Sequence, residues 1–242
     1  MNSESDKVRT LTYSVFGTTD KGPVRETNED CFLINKQHDL FAIADGLGGL
    51  PMGNLASETA ITSLASITYD SKFNFQDAFN KINDTVNALG ETINTDFGIA
   101  TTLTAVKLQD NILFGGHVGD TGVLLFKKHT WLKLTKDDTM AEQIKSEAEN
   151  KEIYIPSYYH HTLTQCIGKG NKLKIQTFEH PLESGDRILL YSDGVTLILS
   201  PEELHDLAFQ SNTPEIFVNK IIQEGYTREG SDNITAIAIY AS

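Results

Sequence analysis

Four aspartates stand where apolar runs end or begin. Asp45 follows Leu40-Phe41-Ala42-Ile43-Ala44 and leads into Gly46-Leu47-Gly48-Gly49. Asp120 closes His117-Val118-Gly119-Asp120, and Asp193 lies in Leu190-Tyr191-Ser192-Asp193-Gly194. Asp232 opens Asp232-Asn233-Ile234-Thr235. Any one of these suits a plain turn, because Asp beside Gly or Asn is a common turn pair. Four in one local setting could bring acidic groups to a single edge, where their repulsion is severe without cations. Oxygen donors with no His or Cys cluster favour magnesium or manganese over zinc. Glycines after Asp45 allow a sharp turn, which could aim the carboxylate and a backbone carbonyl at one point. Asp30 adds a fifth carboxylate, and Arg25 precedes it by five residues. A planar, permanently charged guanidinium beside a metal site suits two oxygens of a phosphoryl group. Arg25 could equally be a surface partner of Glu26 or Glu29. Metals with an arginine suggest phosphate-ester hydrolysis by activated water, with no covalent nucleophile needed.

These side chains need rigid elements to hold them. The run 40–44 has no polar alternation and reads as a strand buried on both faces. Strands are expected at 11–18, 30–36, 101–108, 112–118, 121–126, 131–134, 172–179, 186–191 and 233–240. The links Gln109-Asp110-Asn111 and Gly119-Asp120 read as hairpin turns. Apolar residues recur at helical spacing over 53–69 and 75–95. Asn54 or Ser57 could cap the first of these helices, and Asn74 or Asp77 could start the second. A polar helical stretch is expected at 136–150. Helices at 201–210 and 214–224 each open on a proline. The order of elements implies an α+β fold, two antiparallel sheets packed together with helix pairs outside. One domain spans 1–242, with an irregular, aromatic-tipped flap inserted at about 145–161.

At 242 residues the chain can bury a substantial core. A net charge of −13 with no basic stripe argues against nucleic-acid binding. Cys31 and Cys166 form no Cys-x-x-Cys and are expected to be buried thiols. No run approaches the ~20 apolar residues of a membrane helix, and residues 1–10 carry no signal-peptide pattern, so a cytoplasmic location is expected. A chain with neither an Asp-x-Asp nucleophile motif nor a Gly-Lys-Ser/Thr loop lacks the marks of two common rival phosphate chemistries.

Taken in order, Val24-Arg25, Asn28-Glu29-Asp30, Phe41 to Gly49, His117 to Asp120, Leu190 to Gly194 and Asp232 to Thr235 resemble the metal-dependent protein phosphatases, the type 2C serine/threonine family, in their bacterial single-domain form. The resemblance implies a four-layer α-β-β-α sandwich and hydrolysis of phosphoserine or phosphothreonine by a metal-bound hydroxide. It implies Mn2+ or Mg2+, as two core ions and a weaker third. Asp45, Asp193 and Asp232 would hold the first ion. Asp45 would bridge to the second, joined by the Gly46 carbonyl and, through water, by Asp30 or Glu29. Asp120 and Asp193 would hold the third. Arg25 would grip the phosphate, and Asn233 would orient Asp232. Partners would be phosphorylated proteins, substrates of a serine/threonine kinase, with the phosphatase a monomer. Departures are Leu47 where animal members carry histidine, Ala100 before Thr101-Thr102, Asp137-Asp138-Thr139, and His160-His161-Thr162 in the flap. A phosphoprotein-binding relative without catalysis, or a small-molecule phosphohydrolase, are the alternatives; loss of a ligand aspartate would mark the former, and none is lost.

Overall fold

Burial within one strand sets the layering. Leu40, Ala42 and Ala44 pack with two helices on one side, whereas Phe41 and Ile43 pack with a second sheet on the other. The computed structural model describes residues 10–48, 52–69, 73–93, 98–148, 154–170 and 172–242. Gly49 of the glycine turn, residues 94–95 of the expected second helix, 149–153 of the expected flap and 1–9 lie outside the described residues.

The first part runs β1 (Tyr13–Asp20), β2 (Asp30–Asn35), β3 (Leu40–Asp45), α1 (Gly53–Ala65), α2 (Phe75–Thr92), β4 (Leu103–Gln109) and β5 (Ile112–Val118). The second runs β6 (Gly122–Lys127), β7 (Thr130–Lys133), α3 (Met140–Glu147), β8 (Gln176–Pro181), β9 (Arg187–Tyr191), α4 (Asp193–Thr196), α5 (Pro201–Gln210), α6 (Pro214–Thr227) and β10 (Ile234–Ala241). One antiparallel sheet has the order β1-β10-β9-β6-β7, and the other β2-β3-β4-β5-β8. Helices α1 and α2 cover the second sheet, through Ala56, Ala60, Leu64, Phe79 and Ile82. Helices α5 and α6 cover the first, through Leu204, Ala208, Phe217 and Ile221. Between the sheets lie Val106, Leu113, Val123, Leu125, Ile188, Leu190, Ile237 and Ile239. The result is the expected α+β sandwich of four layers, stabilised chiefly by three apolar interfaces removed from water.

Several local expectations are corrected. Gly119-Asp120 is no hairpin, because β5 and β6 belong to different sheets and the chain crosses between them there. Asp110-Asn111 is one: both residues take positive φ, 52° and 62°, as a two-residue loop between twisted strands requires. Neither Asn54 nor Ser57 caps α1, which starts from left-handed Met52 without a side-chain cap. Asn74 does cap α2, accepting from Asp77 N. The polar helix is confined to Met140–Glu147, and a short 3-10 turn follows at Ser157–His160. Helix α4 was not foreseen, since four residues are too few to show a period. Cys166 is buried, but Cys31 only half-buried, beneath the helix layer. Among the described residues no helix is long and apolar enough to cross a membrane.

His117 braces the crossing point. Its Nδ1 lies 2.7 Å from Thr104 Oγ1, which is itself 2.7 Å from Thr121 Oγ1, and its Nε2 lies 3.2 Å from the Lys136 carbonyl. Nε2–H donating to that carbonyl and Nδ1 accepting from Thr104 describes a neutral ring. Burial, assisted by Lys133, lowers its pKa from 6.5 to about 4. The unfolded chain therefore binds the proton first, so His117 costs stability as pH falls from about 6.5 toward 4. Between pH 7 and pH 5 the wild type is expected to lose about 2 kcal/mol more than a His117→Gln variant in urea unfolding. Parallel pH profiles for the two proteins would show that His117 is not buried neutral.

Candidate active site

The ladders bring the carboxylates to one edge. Pairing of β2 with β3 sets Asp30 directly opposite Asp45. Asp193 follows β9, Asp232 precedes β10, and β9 and β10 are neighbours. Asp45, Asp120, Asp193 and Asp232 line one cavity of about 890 Å³, together with Arg25, Glu29, Gly46 and His161. Asp30 does not line it. It lies buried beneath, with Oδ2 accepting from Thr235 Oγ1 at 2.6 Å and Oδ1 without a hydrogen-bond partner among the described residues.

Three of the carboxylates sit on segments held by backbone bonds. Asp45 N donates to Thr102 Oγ1 at 2.9 Å, while its carbonyl accepts from Thr102 N and Thr101 Oγ1, both at 2.8 Å. Gly119 N donates to Asp138 Oδ2 at 3.0 Å, and Asp138 N returns a bond to the Gly119 carbonyl at 2.7 Å, which holds the turn bearing Asp120. Ser192 and Thr235 exchange two bonds of 3.0 Å beside Asp193. Gly46 packs so closely that a Cβ there would lie 2.3 Å from the Gly53 carbonyl oxygen, so the turn excludes any other residue. Ser57, expected as a cap, instead donates to the Glu29 carbonyl at 2.6 Å.

Asn233 meets Asp232 through its backbone, while its side chain is used elsewhere. Its side chain accepts from Glu29 N at 2.9 Å and donates to the carbonyls of Thr27 and Lys21 at 2.9 and 3.0 Å. The amide thus fastens the 20–29 loop, and only the Asn233 backbone N–H reaches Asp232 Oδ1, at 2.8 Å. Arg25 pairs with neither Glu26 nor Glu29 but with Asp232, Nη2 to Oδ2 at 2.7 Å, and its Nε donates to the Ser231 carbonyl at 3.2 Å. Sequence reasoning missed the positioning roles of Thr102, Thr235 and Asp138, because a hydroxyl or carboxylate bonding to backbone leaves no pattern of spacing.

Electrostatics suit a cation. Burial, and then the charges of Asp30, Asp193, Asp120 and Asp232, hold the Asp45 pKa well above the carboxylate range. Burial followed by Asp193 and Asp137 raises Asp120 to about 8. Asp30 rises to about 6, again by burial, with the Thr235 bond pulling back. An all-oxygen donor set under this strain fits a hard divalent ion, as does the unpartnered buried Asp30 Oδ1. Among the described residues, however, no three such groups already close into a metal cage. Asp232 is engaged by Arg25, and His161 Nδ1 lies 3.5 Å from Asp193 Oδ2.

The fold recurs in solved structures. The catalytic domain of the serine/threonine protein phosphatase PstP, in complex with 2 manganese ions, superposes with a TM-score of 0.81. It is 25% identical, over 96% of this chain and 99% of that one. The family model Protein phosphatase 2C matches residues 24–221, and the chain belongs to that family. Among curated relatives, protein phosphatase PhpP of Streptococcus pneumoniae is 27% identical, covering 91% of this chain and 94% of its own. Serine/threonine phosphatase stp of Listeria monocytogenes is 25% identical, covering 91% and 93%. The chain is a protein phosphatase.

If repulsion at the edge is relieved by losing one charge, the metal-free Asp45→Asn protein is more stable than wild type at pH 8. A raised pKa in the fold means that the Asp45 contribution to wild-type stability grows as pH falls, so the gap closes toward pH 5. Thermal melts in chelator are expected to show a gain of about 2–6 °C at pH 8, the scale of one or two kcal/mol in a domain this size. A less stable variant at pH 8 would contradict mutual repulsion.

Proposed function

We propose that this chain is a metal-dependent phosphatase of phosphoserine and phosphothreonine in proteins. Its carboxylates would hold Mn2+ or Mg2+: Asp45, Asp193 and Asp232 at one ion, Asp45 and the Gly46 carbonyl at a second with Glu29 near, and Asp120 with Asp193 at a third. Asp30 would support the second from below. When bound, such ions supply Lewis acidity and an activated water. The observation that carries this reading is four aspartates lining one cavity with an arginine among them. Asp45, locked by Thr101 and Thr102, keeps the carboxylate edge rigid while the phosphoryl group approaches. Arg25 orients that group, and the Asn233 amide fixes the loop from which Arg25 projects. The 145–161 insertion would then contact protein around the phosphoresidue. Partners on this reading are phosphoproteins made by a serine/threonine kinase, met by a monomeric, cytoplasmic enzyme of one catalytic domain.

Manganese-dependent phosphate release from a phosphothreonine peptide, compared with a nucleotide panel, is the test. The peptide is expected to turn over faster; preference for a nucleotide would move the protein to the small-molecule phosphohydrolases, and no release from either would make it a binding relative. Removing the guanidinium, Arg25→Ala, is expected to raise KM for the peptide about ten- to hundredfold, the scale of 1.5–3 kcal/mol for a charged hydrogen bond. Calorimetric Mn2+ affinity should not fall in that variant, because Arg25 rests on Asp232 rather than supporting it. Weaker Mn2+ binding would make Arg25 structural.

A further inference from the structure

The cavity carries an imidazole that the carboxylate set does not explain. His161 follows the Ser157–His160 turn and lines the cavity alongside Arg25 and Asp232. Its backbone is tethered on both sides. His161 N donates to the Tyr158 carbonyl at 3.2 Å, and Thr162 Oγ1 donates to the same carbonyl at 2.8 Å. Met140 N donates to the Thr162 carbonyl at 2.8 Å, and Leu163 bridges to Thr139 at the start of α3. The ring is kept at the cavity by this anchored backbone. It rests with Nδ1 at 3.5 Å from Asp193 Oδ2, and its side chain stays 50% exposed.

Arg25 is arranged in the same way, on Asp232. Two donors from two separate loops therefore each lie on a carboxylate assigned above to metal. Water screens a half-exposed pair at this separation, so His161 leaves Asp193 at little cost. A phosphoryl group offers charged oxygens that accept more strongly than a carboxylate already shared with a cation. The neutral ring can donate through Nδ1–H, so the exchange needs no change of charge. After Asp45 the turn lines the cavity with Gly46, Leu47 and Gly48, none of which carries a polar side chain, whereas the imidazole comes from the 154–161 segment.

We propose that His161 is a substrate-contacting residue, donating to one oxygen of the phosphoryl group while Arg25 holds another. This rests on the phosphatase reading above and adds a second anchor for the phosphate from a different loop. Wild type, His161→Ala and His161→Asn are compared in three measurements on the Mn2+-loaded protein. These are kinetics on a phosphothreonine peptide, calorimetric binding of inorganic phosphate, and calorimetric Mn2+ affinity. His161→Ala is expected to raise KM and the phosphate Kd about tenfold, with kcat within about threefold and Mn2+ affinity unchanged or tighter. His161→Asn, which keeps a neutral donor, is expected to recover part of both losses. Unchanged KM and phosphate affinity in His161→Ala overturn the proposal. So does weakened Mn2+ binding that accounts for the loss, because His161 would then serve to position Asp193. Failure of the wild type on the peptide would count against the phosphatase reading alone, since phosphate binding still tests His161.

Discussion

Asp45 faces Asp30 across the β2–β3 ladder, and Asp193, Asp120 and Asp232 all bear on it. That concentration of like charge at a partly buried sheet edge is the constraint on which the rest of the structure depends. It is unfavourable on its own, and it persists only because the surrounding fold over-determines it. Three apolar interfaces supply the stability that the edge spends. Side chains at the sheet ends then hold the segments that carry three of these carboxylates through backbone bonds. Thr101 and Thr102 do so for Asp45, Ser192 and Thr235 for Asp193, and Asp138 for the turn before Asp120.

Two cationic or donor groups moderate the charge, Arg25 on Asp232 and His161 on Asp193. Both come from loops, where a side chain can exchange partners without disturbing the sandwich. This division of labour, rigid acids on strands and movable donors on loops, is what a site requires if it must bind cations firmly and release an anion quickly. The 20–29 loop is nevertheless not loose, since the Asn233 amide stitches it at three backbone atoms.

The sandwich was legible because its cause is periodic. Apolar runs such as Leu40–Ala44 and helical stripes such as Ala78, Phe79, Ile82 and Val86 announce which faces are buried. The aspartates were legible as a set because they repeat one local setting at strand ends. What the sequence could not convey was pairing across space. Gly119-Asp120 looks like a hairpin, and only the sheet order shows it to be a crossing between layers. Asn233 next to Asp232 suggests a local role, yet its amide reaches residues 21, 27 and 29. Arg25 had acidic neighbours in sequence but found Asp232, more than two hundred positions away. His161 sits in a segment with no clear period, and only the folded chain brings it to Asp193.

The central claim is that the aspartate edge is built to be neutralised by divalent cations. Melting temperature measured against Mn2+ concentration, for wild type and for Asp193→Asn, tests it most directly. A ligand that binds only the folded state raises stability by RT ln(1 + [L]/Kd), so the wild-type melting temperature should climb steadily once Mn2+ exceeds its Kd. The Asp193→Asn curve should stay nearly flat over the same range. A flat wild-type curve, or equal climbs in both proteins, would contradict the claim.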